Sequence, residues 1–360
     1  MMLEELRSQI DEIDAQIVKL INERAKLAHE IAKAKAKEGS PLYRPEREMQ
    51  VYEKVRQLNT GHVDDESLCH IYREIMSATL KLEGSPTVAF FGSLGSFSHQ
   101  AAVKKFGRSL NYFPQKTIED VFDVVSRRHH SYGVVPVENS TEGMVNATLD
   151  SLLNYELHIY AEIRLAIRHH LFSFAKDTRD ILYLHTHEQA YAQCRRFLAK
   201  NLPQAEFIPE ASTSEAVEKL AQMKDPRRAA IGSEIAGEIY QIPMLLANIA
   251  DFEKNFTRFF VIGHDQSRPS GHDRTLISFA LPNEAGALFR VLGPLAELGV
   301  NLTSIMSRPM KTTLWSYMFY AEMDGHFGDD KIQKALRKLP ERTVSLRLLG
   351  SYPIDTTVDL

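Results

Sequence analysis

Apolar residues recur along the N-terminal stretch at alternating steps of three and four: Leu3, Leu6, Ile10, Ile13, Ile17, Leu20, Leu27, Ile31 and Ala34. That spacing is a heptad seam and predicts one helix of about 35 residues, which must pack on a partner. The heptad phase places Arg24 at an apolar position. A guanidinium there is costly unless an anion pairs with it, unless it snorkels to the surface, or unless it serves to set register. Lys35 shares Arg24's face about 16 Å along the axis, so the two side chains can converge on a molecule between them. Arg7 lies about 26 Å from Arg24 on the same rod and can join that pocket only from a second, antiparallel chain. A second helix is predicted from Pro45 past Arg47 and Glu48 towards Asn59 and Gly61, and a third from about Asp64 to Glu83, ending at Gly84. Three such helices, one of them overlong, form a poor solitary core and a good intertwined dimer.

Glu83-Gly84-Ser85-Pro86 breaks the helical pattern and marks a boundary. Beyond it, short apolar runs alternate with helical stretches. Strands are predicted at Val88–Phe91, Tyr132–Val137, Leu157–Arg168, Ile181–Leu184, Glu206–Ile208, Ala229–Ile231 and Phe259–Ile262, with helices at His99–Phe106 and Ile118–Arg127. The alternation predicts a mostly parallel, helix-covered sheet in a run long enough for two lobes and a cleft. The strand ending at Val137 gives way abruptly to Glu138, Asn139, Ser140 and Thr141 before Gly143 opens a helical pattern. Polar groups at such a strand end suit a ligand site; equally, Ser140 or Thr141 caps a helix whose first turn holds Glu142. Two more polar strand ends follow, Thr186 to Gln189 leading on to Gln193, and Asn255 to Phe259. Gly92 to Ser98 fits neither a Walker loop nor Gly-x-Gly-x-x-Gly, though its glycines and N-cap serine could receive a carboxylate.

After a polar linker from Gln266 to Asp273, the pattern predicts strand Thr275–Leu281, helix Gly286–Leu298, strands Leu302–Ser307 and Tyr317–Glu322, helix Asp329–Leu336 and strand Val344–Leu348. This is the ferredoxin-like β-α-β-β-α-β order, which alone names no function.

Composition narrows the classes. The 360 residues, 44% hydrophobic and 25% charged, suit two or three globular domains. A net charge of −4 argues against general nucleic-acid binding, while Arg24, Lys26, Lys33, Lys35 and Lys37 can still serve a small anion. No apolar run is long enough to cross a membrane and the N-terminus lacks a signal-peptide plan, so a cytoplasmic protein is expected. Two cysteines make no disulfide framework. The histidine pairs 129/130, 169/170 and 185/187 lack a matching third ligand, so neither metal nor cofactor is expected.

Arg7, Arg24, Lys35, Arg47-Glu48 and the closing Thr79 to Glu83 resemble the all-helical chorismate mutases that begin bifunctional bacterial phenylalanine-biosynthesis enzymes. The resemblance implies that the partner's Arg7 with Arg24 and Lys35 holds the substrate carboxylates and ether oxygen, that Glu48 meets the ring hydroxyl, and that Thr79 and Glu83 complete the site. Arg44 stands where some members carry an acidic contact, and Glu83 where some carry Gln. Only a protonated Glu83 can donate to the ether oxygen. The Val-Glu-Asn-Ser-Thr-Glu-Gly run at 137–143 and Thr-Arg-Phe at 257–259 resemble prephenate dehydratase, whose fold is similar to type II periplasmic-binding proteins. By that resemblance the catalytic set is Glu138, Asn139, Thr186 (Ser in the family), Gln193 and Thr257. The leaving hydroxyl needs a proton; Thr257 is expected to orient or relay one, with Glu138 the better candidate for acid or hydrogen-bond partner. The last third resembles the ACT regulatory domain: Gly286-Ala287-Leu288-Phe289 stands for Gly-Ala-Leu-Val, and Met306-Ser307-Arg308-Pro309 for Glu-Ser-Arg-Pro.

The resemblance implies three domains, at residues 1–84, 87–264 and 274–351. It implies a cytoplasmic homodimer or larger homo-oligomer that binds neither nucleic acid nor membrane, an isomerase and carbon-oxygen lyase that takes chorismate through prephenate to phenylpyruvate under feedback by L-phenylalanine. Two alternatives stay open: a dehydratase whose helices merely dimerise it, and a non-catalytic ligand sensor.

Overall fold

The computed structural model describes residues 2–252, 254–309 and 317–355. The chain divides into two compact units: the chain up to Thr87 with Phe106–Asn111, and the remainder.

The first unit is helical. Helix α1 (Met2–Glu38) is followed by α2 (Pro45–Leu58), with proline at its start, and α3 (Asp65–Gly84), whose N-cap Asp64 accepts from the Ser67 amide. These are the three helices the periodicity predicts. Only Ala32 of α1 is buried; Leu3, Leu6, Ile10, Ile13, Ile17, Leu20, Leu27 and Ile31 all lie exposed along the seam. An unpartnered apolar stripe of that length marks an interaction surface.

The second unit begins with β1 (Thr87–Phe91), α4 (Phe97–Phe106), β2 (Asn111–Gln115), α5 (Ile118–Ser126), β3 (Tyr132–Asn139), β4 (Gly143–Met144), α6 (Asn146–Asn154) and β5 (His158–Ala166). It continues through β6 (His170–Ser173), β7 (Tyr183–Thr186), α7 (Glu188–Gln193), α8 (Arg195–Asn201), β8 (Glu206–Pro209), α9 (Thr213–Met223), β9 (Arg228–Gly232), α10 (Glu234–Tyr240), β10 (Met244–Leu246) and β11 (Phe256–Gly263). The first sheet runs β2-β1-β3-β11-β5, with β4 added to β3; the second runs β10-β6-β9-β7-β8. Two crossings, β5 to β6 outward and β10 to β11 back, therefore build two lobes.

The expectation of a mostly parallel sheet is corrected. Pairs β1/β3, β7/β8 and β7/β9 are parallel, but β11 runs antiparallel to both β3 and β5, and β6 antiparallel to β9 and β10. The reason is the return crossing: β11 comes back from the second lobe and slots between β3 and β5 against their direction. The helix expected to open at Gly143 is also corrected. Gly143 and Met144 fold back on β3 as a two-residue strand, α6 starts at Asn146, and its N-cap Val145 makes no side-chain cap bond. Neither Ser140 nor Thr141 caps it.

The chain closes with β12 (Asp273–Ala280), α11 (Ala287–Glu297), β13 (Leu302–Pro309), β14 (Tyr317–Asp324), α12 (Asp330–Arg337) and β15 (Ser345–Pro353), in the order β13-β14-β12-β15. This is the predicted ferredoxin-like unit. Its sheet has two apolar faces. Ile277, Phe279, Ala321 and Met323 pack with Val291, Leu295 and Ile332 of its own helices, whereas Leu276, Tyr320, Leu349 and Tyr352 share a core with Leu149, Leu152, Ile159 and Phe260 of the first lobe. Alternation along β12, β14 and β15 produces both faces. The segment before β12 is pinned: His326 Nε2 bonds Ser267 O at 3.0 Å, and Asp273 accepts from Ser270 N at 2.7 Å. No described helix is long and apolar enough to cross a membrane.

Gly350 marks where this sheet meets β5. A Cβ there would stand 2.5 Å from Ile159 O and 2.7 Å from Ile159 N, both backbone atoms that cannot swing aside. Gly350→Ala is expected to destabilise the protein by about 1–3 kcal/mol through overpacking, read as a lower urea midpoint with an unchanged slope.

Candidate active sites

In the helical unit, half-buried Arg24 faces α3: its Nη1 donates to Thr79 Oγ1 at 3.3 Å, and the Thr79 hydroxyl donates to Ile75 O at 2.7 Å. Lys35 Nζ donates to Leu42 O at 2.6 Å. Both cations act on Glu83. Burial raises the Glu83 carboxyl above the usual carboxylate range, and Lys35, Arg24 and His29 pull against that rise without cancelling it. Burial likewise lowers the Lys35 ammonium, with Glu83 and Glu46 opposing and Arg44 assisting. Arg24, Lys35, Thr79 and Glu83 are thus brought together, with Arg44 beside Lys35. Glu48 is buried on α2 and accepts from Tyr43 OH at 2.7 Å and Tyr52 OH at 3.0 Å. These tyrosines carried no signal in the sequence. Arg7 is exposed, roughly 26 Å back along α1, and is not brought to this cluster by its own chain.

In the second unit the end of β3 lies beside the start of β11, with Asn139 opposite Thr257 and Glu138 opposite Arg258. Successive strand residues face opposite ways, so these two rungs have two different faces. On the first, Asn139 Nδ2 donates to Thr257 Oγ1 at 2.8 Å and to Asn255 Oδ1 at 3.0 Å. Asn255 Nδ2 reaches Gln193 Oε1 at 3.3 Å, which also meets His169 Nε2 at 2.8 Å. The Phe97 ring stands edge-on to His169, centroids 5.5 Å apart, bringing the start of α4 to the same network. Asn139 Oδ1 accepts from the amides of Thr141 at 2.9 Å and Glu142 at 3.2 Å, so the turn expected to be a helix cap is an Asx turn built on Asn139. Thr186 ends β7 fully buried, and its Oγ1 has no hydrogen-bond partner among the described residues; the same is true of His169 Nδ1. From the opposite lobe, Gln189 at the start of α7 donates to Glu142, spanning the cleft.

Glu138 does not join Thr257, whose hydroxyl is held by Asn139. The Glu138 carboxylate turns to the other face and accepts from Arg258 Nη1 at 2.9 Å. There Arg258 also holds Glu162 through Nη2 at 2.9 Å, and Glu322 of β14 through Nη2 at 2.6 Å and Nη1 at 3.3 Å. Burial pushes the Glu162 carboxyl up despite Arg258 and Arg274. Glu322 is desolvated too, yet Arg258 and hydrogen bonds from Arg258 and Tyr352 hold it below the usual range. The strand alternation encodes this separation of Glu138 from Asn139 and could have been read from the sequence.

In the C-terminal domain Gly286 caps α11 at φ +77, a left-handed position that suits glycine. Ala287 is buried, Leu288 packs on the domain's own helical core, and Phe289 is 80% exposed. Met306 instead packs on the core shared with the first lobe, and Arg308 Nη1 donates to Asn146 O at 2.8 Å and pairs with Asp150 of α6. Ser307 and Pro309 are exposed. The two expected effector segments therefore face different cores within one chain. The histidines have other work: His185 lies between Glu210 and Arg228, and His187 caps α7.

A cation-rich helical cluster, a two-lobed α/β body with a polar crevice, and a ferredoxin-like domain sharing its core define a multidomain enzyme. Residues 6–84 match the chorismate mutase type II family, residues 88–267 the prephenate dehydratase family and residues 275–341 the ACT domain. A bifunctional chorismate mutase/prephenate dehydratase from Aquifex aeolicus is 44% identical over 98% of this chain and 98% of its own, and one from Neisseria gonorrhoeae is 42% identical over 96% of each. The solved prephenate dehydratase of Arthrobacter aurescens in complex with L-Phe superposes with a TM-score of 0.69 at 31% identity, covering 76% of this chain and 92% of that one. The chain belongs to the bifunctional chorismate mutase/prephenate dehydratase family.

Asn139→Asp keeps the acceptor of the Asx turn but removes both donations. The expected outcome is a loss of about 1–3 kcal/mol in urea unfolding, because Asn255 Oδ1 is then left facing a carboxylate.

Proposed function

We propose that this protein converts chorismate to prephenate in its helical unit and prephenate to phenylpyruvate in its two-lobed unit, with L-phenylalanine acting through the C-terminal domain. The domains run from 1 to 84, 87 to 264 and 274 to 351, and the working form is a cytoplasmic homodimer. The observation that carries the reading is a pair of separate polar sites on one chain: Arg24 and Lys35 around Glu83, and Asn139 against Thr257.

The first site suits a pericyclic rearrangement. Such a step needs no nucleophile, only a folded near-attack conformer and positive charge where the breaking ether gathers electrons. Arg24 and Lys35 supply the charge, Arg7 of a second copy the remaining carboxylate contact, and Glu48 the ring-hydroxyl contact, while Thr79 holds Arg24. Arg44 adds positive charge beside Lys35. Protonated Glu83 donates to the ether oxygen. The exposed seam of α1 supports the dimer, since its apolar residues are otherwise left in water.

The second site suits a decarboxylative elimination. The carboxylate leaves as carbon dioxide, its electron pair completes the aromatic ring, and the ring hydroxyl leaves as water after gaining a proton. Thr257 accepts from Asn139, so its own hydrogen remains available for that hydroxyl. Gln193 and the Thr186 hydroxyl, which has no partner among the described residues, complete the polar lining, while Glu138 works from the opposite face. Effector contacts fall to Gly286, Ala287, Leu288 and Phe289, and to Met306, Ser307, Arg308 and Pro309.

Arg24→Ala is expected to abolish chorismate consumption while leaving phenylpyruvate formation from added prephenate within about twofold of wild type, since the sites are separate. No change in chorismate loss would reduce the helices to a dimerisation arm; prephenate bound but not converted by the wild type would make the protein a sensor. Because Glu83 must keep its proton to donate, mutase turnover is expected to fall as pH rises through its raised pKa. Glu83→Gln flattens the pH profile by supplying a permanent amide donor, and identical profiles for the two proteins would remove Glu83 from the role.

A further inference from the structure

The rungs that carry the crevice also carry a second, buried ionic cluster on the reverse of the sheet. Arg258 is its centre. Its two terminal nitrogens offer four hydrogens and make four bonds: to Glu138, to Glu162, and two to Glu322. The guanidinium is saturated at its fork, so a displaced Glu322 redistributes the bonds to Glu138. Glu322 is itself steered by its own domain, accepting from Tyr352 OH and, at 3.2 Å, from Thr303 Oγ1. Arg274 of β12 stands 3.6 Å from Glu162, and the Phe260 ring lies 5.8 Å from the Arg258 guanidinium. Thus β12, β13, β14 and β15 of the C-terminal domain all reach a cluster that contains, besides Glu162 of β5, Glu138 and Arg258, the immediate chain neighbours of Asn139 and Thr257.

Resting on the dehydratase reading above, we propose that Arg258 is a positioning residue for the elimination, and that Glu322, by sharing its guanidinium with Glu138, gives the C-terminal domain a direct hold on Thr257 and Asn139. A hydroxyl that must meet a leaving group is sensitive to small displacements, about a hundredfold in rate for one ångström. Shifting Glu138 or Arg258 twists the rung, and the Asn139–Thr257 bond on its other face moves with it. Glu162, whose side chain is wholly buried, anchors the remaining side, so changes at Glu322 are passed towards Glu138. Arg308 on Asn146 and Asp150 ties the same domain to α6, just beyond the hairpin that follows Glu138.

The test compares full-length wild type with Glu322→Gln and Tyr352→Phe, measuring phenylpyruvate formed from prephenate with and without phenylalanine, and phenylalanine binding by calorimetry. The amide in E322Q keeps the shape but offers the fork one acceptor oxygen. The expected result is a kcat lowered by at least about fivefold with KM within about twofold, and phenylalanine inhibition weakened at least about fivefold while its binding is retained. Y352F, which removes one hydrogen bond and little volume, moves kcat in the same direction by less, and it decides the matter if E322Q does not fold. A wild type that turns over prephenate beside variants with unchanged kcat and unchanged inhibition overturns this proposal alone. A change confined to KM does the same. A wild type that forms no phenylpyruvate overturns the dehydratase reading, and this inference with it.

Discussion

Everything in the second unit depends on one register: Asn139 opposite Thr257 and Glu138 opposite Arg258. The residues come from strands more than a hundred positions apart, so the pairing exists only because the chain crosses to the second lobe and back. Strand alternation then separates the two rungs into a neutral hydrogen bond facing the crevice and an ion pair facing the C-terminal domain. A slip of β11 by one residue would exchange its faces, putting the Arg258 guanidinium in the crevice and the Thr257 hydroxyl among carboxylates. The shared apolar core of Phe260, Leu276, Leu349 and Tyr352 helps fix that register, because Phe260 and Arg258 lie on the same side of β11.

The ionic cluster adds less to stability than its number of contacts suggests. Desolvating Glu162, Glu322 and the two guanidiniums costs about as much as their attraction returns, so such clusters often break even against apolar replacements, and Glu138 stays partly in water. Removing one member is a different matter, costing about 3–5 kcal/mol because the rest are left charged and dry. The opposite shifts of Glu162 and Glu322 show this tension within one site: Arg258 binds both, but Glu162 is the more deeply buried and cannot be fully compensated. What the cluster supplies is direction. An arginine fork fixes angles as well as distances, which an apolar contact does not.

Legibility in the sequence followed the range of the interactions. The three helices of the first unit were readable from heptad spacing, Pro45 and Asp64, and the β-α-β-β-α-β order from simple alternation, because these signals are local. Strand direction was not readable, since β11's antiparallel place between β3 and β5 arises from a crossing rather than from its own residues. Four short strands, β2, β4, β6 and β10, went unread, with five, two, four and three residues to carry a pattern. The polar residues at 138–141 were legible as a site, but their split between a crevice and a buried cluster needed the strand's alternation to be carried one residue further. Motif resemblance grouped Glu138 with Thr257, and geometry separates them. The Tyr43 and Tyr52 clamp on Glu48 had no spacing that marked it.

The two units meet their chemical demands by opposite use of burial. In the helical unit, desolvation lifts Glu83 towards its neutral form while nearby cations resist. A carboxyl in water between two cations would feel only their pull towards the ionised form, and partial burial opposes it. The donor proposed for the second unit is a threonine, which never ionises in this range and so needs no tuning, only aim. Arg258 and its carboxylates lie on the reverse of the same rungs, where they fix the strand ends. Asn139 supplies what aim requires: one amide that holds the Thr257 oxygen while its own carbonyl organises the Asx turn, so the hydroxyl and the rim of the crevice share a single anchor.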